Sequence, residues 1–212
     1  MSSKSEMLLK LLNGQPVIPV LKIGKAADAV PLARALAAGG LRAIEITLRT
    51  ADALEAIRRV AGEVENAIVG AGTILNAGQF EQAQAAGSRF IVSPGLTREL
   101  IAAADASVVP LLPGAITPGE IMTAREAGID FLKFFPAEQA GGVDFLKALA
   151  SPLADIRFCP TGSVTAKSAP SYLSLPNVVC VGGSWVAPDS MVAEGKWDLI
   201  EGLAREAALL RR

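Results

Sequence analysis

Lys133 sits in Phe131-Leu132-Lys133-Phe134-Phe135, an amine inside a run otherwise made of aromatic and aliphatic residues. Glu45 is out of place in the same way, within Ala43-Ile44-Glu45-Ile46-Thr47. A charge buried in a strand costs several kcal/mol unless it is paired or hydrogen-bonded. One reading is therefore a Glu45–Lys133 ion pair that only fixes register. The other is chemistry. An amine held in an apolar pocket beside a second cation is disfavoured as ammonium, and Arg49, on the same strand face as Glu45 and Thr47, could supply that cation. A free amine attacks a ketone to give an imine, which is an electron sink for breaking a C–C bond. Such a reaction needs a proton carrier near the imine, and Glu45 is the one acid inside an expected strand. The chain contains no histidine, the commonest general base and metal ligand. Its chemistry must run on carboxylate, amine, hydroxyl or thiol.

Two turns add an anion site. Pro160-Thr161-Gly162-Ser163 and Gly182-Gly183-Ser184 each follow an apolar run. Glycines let backbone N–H groups approach an anion, and a helix starting behind such a turn presents its positive end. Either turn alone is common; the pair together is more informative. Other polar positions at run ends are Thr73, a candidate carboxylate partner, and Pro94, a candidate wall residue; turn formation accounts for both equally well. Lys22 and Glu138 read as solvated surface charges, and Cys159 and Cys180 as small buried thiols.

The elements that must position these groups alternate along the chain. Runs expected to be strands are Val17–Leu21, Ala43–Thr47, Ile68–Gly70, Phe90–Ser93, Val108–Leu112, Phe131–Phe134, Ile156–Cys159 and Val178–Val181. Between them, Asp28–Ala38, Ala51–Ala61, Ala77–Ala86 and Pro118–Ala127 have helical apolar spacing, with left-handed caps expected at Gly39, Gly62, Gly87 and Gly128. Strict alternation implies parallel strands and right-handed crossovers. Eight such units close a barrel, so the expected class is α/β, a (β/α)8 TIM barrel formed by residues 1–212 as a single domain. An extra N-terminal helix is expected over Lys4–Asn13, covering the N-terminal end of the barrel. A doubly wound open sheet is the alternative fold, although no G-x-G-x-x-G follows the first strand. In barrels, active sites lie at the C-terminal strand ends, and phosphate often binds after strands seven and eight.

With 20 basic and 21 acidic residues and a net charge of −1, the chain has no basic run suited to nucleic acid. Mean hydropathy is +0.41, yet no apolar stretch reaches the roughly 18 residues that cross a membrane. Met1–Glu6 carries no signal-peptide core. A cytoplasmic location is expected.

Read together, these segments resemble the bacterial 2-keto-3-deoxy-6-phosphogluconate (KDPG) / 4-hydroxy-2-oxoglutarate (KHG) aldolases. The resemblance is carried by Glu45-Ile46-Thr47-Leu48-Arg49-Thr50, Val69-Gly70-Ala71-Gly72-Thr73, Ser93-Pro94-Gly95, Phe131-Leu132-Lys133-Phe134-Phe135-Pro136-Ala137-Glu138, Arg157-Phe158-Cys159-Pro160-Thr161-Gly162 and Val181-Gly182-Gly183-Ser184-Trp185. It implies a cofactor-free class I lyase of the Entner–Doudoroff pathway, trimeric, with a keto-acid sugar phosphate as its small-molecule partner. Lys133 would form the imine and Glu45 would move protons. Arg49 and Thr73 would hold the substrate carboxylate, Pro94 and Phe135 line the pocket, and Thr161 contact the substrate's hydroxyl region. Gly162, Gly183 and Ser184 would receive the phosphate. One departure stands out: the family usually has a second glycine after Gly162, and here it is Ser163. If that turn needs a positive φ, a serine Cβ is costly; otherwise its hydroxyl adds a phosphate donor.

Three rival readings remain at this point. A phosphate-binding isomerase would use Glu45 as base and form no trapped adduct. A non-catalytic trimer subunit would tolerate Lys133→Met. A metal-dependent aldolase would be sensitive to chelator.

Overall fold

The computed structural model describes residues 3–12 and 14–210; Met1, Ser2 and Asn13, the expected end of the first helix, lie outside them. In chain order the elements are α1 (Ser3–Leu12), β1 (Val17–Leu21), α2 (Ala26–Ala38), β2 (Ala43–Thr47), α3 (Ala53–Glu63), β3 (Ile68–Gly72), α4 (Ala77–Ala85), β4 (Ile91–Val92) and α5 (Arg98–Asp105). They continue as β5 (Leu111–Leu112), α6 (Pro118–Glu126), β6 (Phe131–Phe134), α7 (Gly142–Leu149), β7 (Arg157–Pro160), α8 (Ala169–Leu173), β8 (Val181–Gly183), α9 (Asp189–Ala193) and α10 (Trp197–Ala208). The fold is α/β. A curled six-stranded parallel sheet runs β5-β4-β3-β2-β1-β8, and β6 pairs with β7. Single parallel bridges connect this pair to its neighbours: Gly114, after β5, to Lys133 of β6, and Thr161, after β7, to Gly182 of β8. Among the described residues no helix is long and apolar enough to cross a membrane.

Alternation along the strands sorts side chains into two cores. Ile44, Ile46, Leu132 and Phe134 point outward and pack with the helices. Ala43, Phe131 and Cys159 point inward, with Ile18, Phe90, Val92 and Leu112. Leu8 and Leu12 of α1 complete this inner cluster. By the same period of two, Glu45 and Lys133 continue the inward rows, one step nearer the C-terminal strand ends.

Some element bounds differ from the sequence expectation. β5 is only Leu111–Leu112, and Val108 is 79% exposed. Pro110 has no N–H for a ladder, and the Val109 N–H donates to Ser107 Oγ at 2.9 Å. β8 begins at Val181 because the chain first pairs with β7, Val179 N–H donating to the Phe158 carbonyl, before Val181 N–H turns to the Pro16 carbonyl. Gly182 and Gly183 therefore lie within β8, and only Ser184 of that motif follows it. Their need for glycine is spatial: a Cβ would stand 2.3 Å from Thr161 Oγ1 at Gly182 and 1.7 Å from the Trp185 ring at Gly183. Gly87 and Gly128 take the expected left-handed φ (+99° and +73°). Gly39 instead has φ −75°, leaving the left-handed position to Gly40, and Gly62 lies inside α3.

Candidate active site

A cavity of about 320 Å³ opens where the strands end. Its lining includes Glu45 (β2), Lys133 (β6), Arg49, Thr73, Pro94, Phe135, Thr161, Gly162, Ser163, Gly183 and Ser184. All the site residues expected from the sequence thus share one wall system. Val20, Thr47, Val164 and Gly182 line it as well.

At its floor Lys133 Nζ and Glu45 Oε1 are 3.4 Å apart, with side chains 8% and 4% exposed. Charge-assisted N–H···O bonds are usually about 2.7–2.9 Å, so this pair is loose for one whose sole task is to fix register. The ammonium also sits over the Phe135 ring, 5.3 Å from its centroid. Strand pairing fixes each group on its own sheet. Glu45 is paired with Gly70 on β3 and with Val20 on β1, and Lys133 is paired with Cys159 on β7. Space for the carboxylate comes from Gly72, where a Cβ would stand 2.0 Å from Glu45 Oε1.

Polarity grades upward from this floor. Arg49, Ser163 and Ser184 are exposed at the rim, while Thr161 is buried. Arg49 Nε donates to Thr47 Oγ1 at 2.9 Å, and Thr47 Oγ1 donates to the Leu21 carbonyl at 2.8 Å. The guanidinium is thereby anchored through Nε, and among the described residues its other two nitrogens take no acceptor. Thr47 was not among the expected site residues, although it is two residues from both Glu45 and Arg49 on one strand face, the spacing that could have marked it.

α8 starts at Ala169 and α9 at Asp189, each a few residues beyond its turn, and Asp189 shares a neighbouring pocket with Ser184 and Arg49. What the loops offer is backbone: among the described residues, the N–H groups of Gly162, Ser163 and Ser184 take no acceptor within the chain. Ser163 adopts φ +58°, and Thr73 φ +60°, so the turn after Gly162 does need the left-handed region. Glu138 is exposed, as expected, yet it neighbours Tyr172, whose phenol is raised above its ordinary pKa first by burial and then by that carboxylate. Lys22 is exposed, and Cys159 and Cys180 are buried.

Comparison with known proteins agrees with the geometry. The family model "KDPG and KHG aldolase" matches residues 8–203. The 2-dehydro-3-deoxy-phosphogluconate aldolase of Dickeya dadantii is 50% identical over 198 residues, covering 93% of both chains. Among solved structures, the KDPG aldolase of Legionella pneumophila, with pyruvate captured at low pH as a covalent carbinolamine, has a TM-score of 0.91. It is 43% identical, covering 93% of this chain and 96% of its own. The aldolase of Zymomonas mobilis, solved with 3-phosphoglycerate, reaches a TM-score of 0.92 at 48% identity, covering 99% of this chain and 98% of its own. The chain belongs to the KDPG and KHG aldolase family, and its class is that of the carbon–carbon lyases.

Proposed function

We propose, from this family membership, that the protein cleaves 2-keto-3-deoxy-6-phosphogluconate to pyruvate and glyceraldehyde 3-phosphate through a Schiff base on Lys133. The same reading has it cleave 4-hydroxy-2-oxoglutarate to pyruvate and glyoxylate. The observation that carries it is the buried Lys133 Nζ and Glu45 Oε1, 3.4 Å apart on the floor of one cavity. Lys133 Nζ gives a proton to Glu45 and attacks the C2 ketone. Glu45 returns a proton to the carbinolamine oxygen, water leaves, and the protonated imine forms. Glu45 then takes the C4 hydroxyl proton as the C3–C4 electrons flow into the imine, releasing the aldehyde and leaving the pyruvate enamine. Protonation at C3 and hydrolysis free pyruvate and the amine.

In this scheme Arg49 and Thr73 hold the keto-acid carboxylate, Pro94 and Phe135 wall the reacting carbons, and Thr161 meets the substrate hydroxyls. Gly162, Ser163, Gly183 and Ser184 take the phosphate. The isolated bridges at Lys133 and Thr161 support closure of all eight strands into a (β/α)8 barrel, with α1 as its N-terminal plug. By family likeness the working unit is a cytoplasmic homotrimer without a cofactor.

Borohydride reduction in the presence of pyruvate tests the scheme. A stable adduct should appear on the peptide containing Lys133 and be absent from Lys133→Met. No adduct, or one on another lysine, would overturn it.

A further inference from the structure

Ser163 and Thr73 are, among the described residues, the non-glycine positions with positive φ, and both line the cavity. A serine held where glycine fits without strain invites the question of what its hydroxyl does. Three contacts zip the turn after β7 to the turn after β6. Ala137 N–H donates to the Thr161 carbonyl at 2.8 Å and Glu138 N–H to the Gly162 carbonyl at 3.4 Å. The third is a side-chain bond, Gln139 Nε2 donating to Ser163 Oγ at 3.1 Å. Gly162 allows the close approach, since a Cβ there would lie 3.0 Å from Pro136 Cα and 3.2 Å from Ala137 N. Gln139 itself is exposed and outside the cavity lining.

A hydroxyl has one proton and two lone pairs. With Gln139 occupying a lone pair, the Ser163 proton points away from Gln139 and is available to an acceptor bound in the cavity that Ser163 lines. We propose that Gln139 is a positioning residue: it holds the Ser163 hydroxyl as a donor toward the anionic end of the substrate. The Gln139–Ser163 pair thereby sets the discrimination between phosphorylated and unphosphorylated keto acids. This rests on the lyase reading above, and the pyruvate–borohydride adduct on Lys133 of the unaltered protein separates the two. Its absence defeats that reading; where the adduct forms, the kinetics of the variants test the Gln139–Ser163 pair alone.

A hydrogen bond to a charged group changes affinity by about 10- to 150-fold when removed, and one to its neutral orienting partner by less. Gln139→Ala should lower kcat/KM for the six-carbon phosphate about 3- to 10-fold, mainly through KM. Its kcat/KM for 4-hydroxy-2-oxoglutarate should stay within about 2-fold, and competitive inhibition by inorganic phosphate should weaken in parallel. Gln139→Glu should do more, because a carboxylate accepts the Ser163 proton and repels the anion. In a Ser163→Ala background the Gln139→Ala change should have no further effect. The proposal is overturned if Gln139→Ala leaves the ratio of the two kcat/KM values unchanged, or if its effect persists undiminished without the Ser163 hydroxyl.

Discussion

Ser163 carries two demands of opposite sign. Its φ of +58° suits a residue without a Cβ, and the left-handed region costs an L-residue about 1 kcal/mol or more. Comparing Ser163→Ala with Ser163→Gly isolates that strain, since both lose the hydroxyl and only glycine loses the Cβ. Ser163→Gly should be the more stable of the two by about 1 kcal/mol, seen as a melting temperature roughly 2–4 °C higher in calorimetry. Equal melting temperatures would mean that the turn relaxes in one of the variants. The departure at this position was legible in the sequence because a serine stood where the resembling family has glycine, but whether the turn needs a positive φ was not. Lys133 and Glu45 were legible for a different reason: a charge inside an apolar strand is conspicuous. Gln139 was invisible, because its partner lies 24 positions away and nothing in composition or spacing joins an exposed glutamine to a loop on another strand.

Strands place the groups proposed to react, and the glycines inside them matter through the space they leave. β3 extends to Gly72 rather than ending at Gly70, and Gly72, opposite Thr47, faces the Glu45 carboxylate. Gly72→Ala would put a Cβ 2.0 Å from Glu45 Oε1, so the carboxylate must swing away from Lys133. A displacement of about 1 Å in a reacting group can cost about 100-fold in rate. The variant is therefore expected to lose about two orders of magnitude in kcat while its circular dichroism stays native, and a fall of less than 2-fold would show that Glu45 adapts. β1, β2 and β6 have the bounds that the sequence suggested, since runs flanked by turns, mostly apolar and broken chiefly by Glu45 and Lys133, define them. β5 and β8 do not. The Val108 run is stopped by Pro110 and by a side-chain bond from Ser107, and the Val178 run changes partners midway. Pro110 is a local signal within the run, whereas the change of partner at β8 is a tertiary decision that local pattern does not carry.

On the scale of the molecule, the amine and carboxylate stand on an inner core that α1 helps to fill. Leu8 and Leu12 are 1% and 2% exposed and pack with Phe90, Phe131 and Cys159, the layer beneath Lys133 on the same inward rows. The first helix is amphipathic enough to be expected from sequence, but its partner core becomes visible only once residues from separate short strands are gathered in one cluster. Truncating a buried leucine to alanine removes transfer free energy and leaves a cavity, about 2–5 kcal/mol in all. In a chain of this size each kcal/mol shifts the melting temperature by about 2–4 °C, so Leu8→Ala should melt roughly 5–15 °C lower. The site is held by register between β2, β3, β6 and β7 rather than by α1. Turnover at 25 °C, well below the melting transition, should therefore change by less than about 3-fold, since stability and geometry at separate places are close to independent. A variant that kept its melting temperature but lost turnover would invert this assignment, making α1 a support for the position of Lys133 instead of a filler of the core.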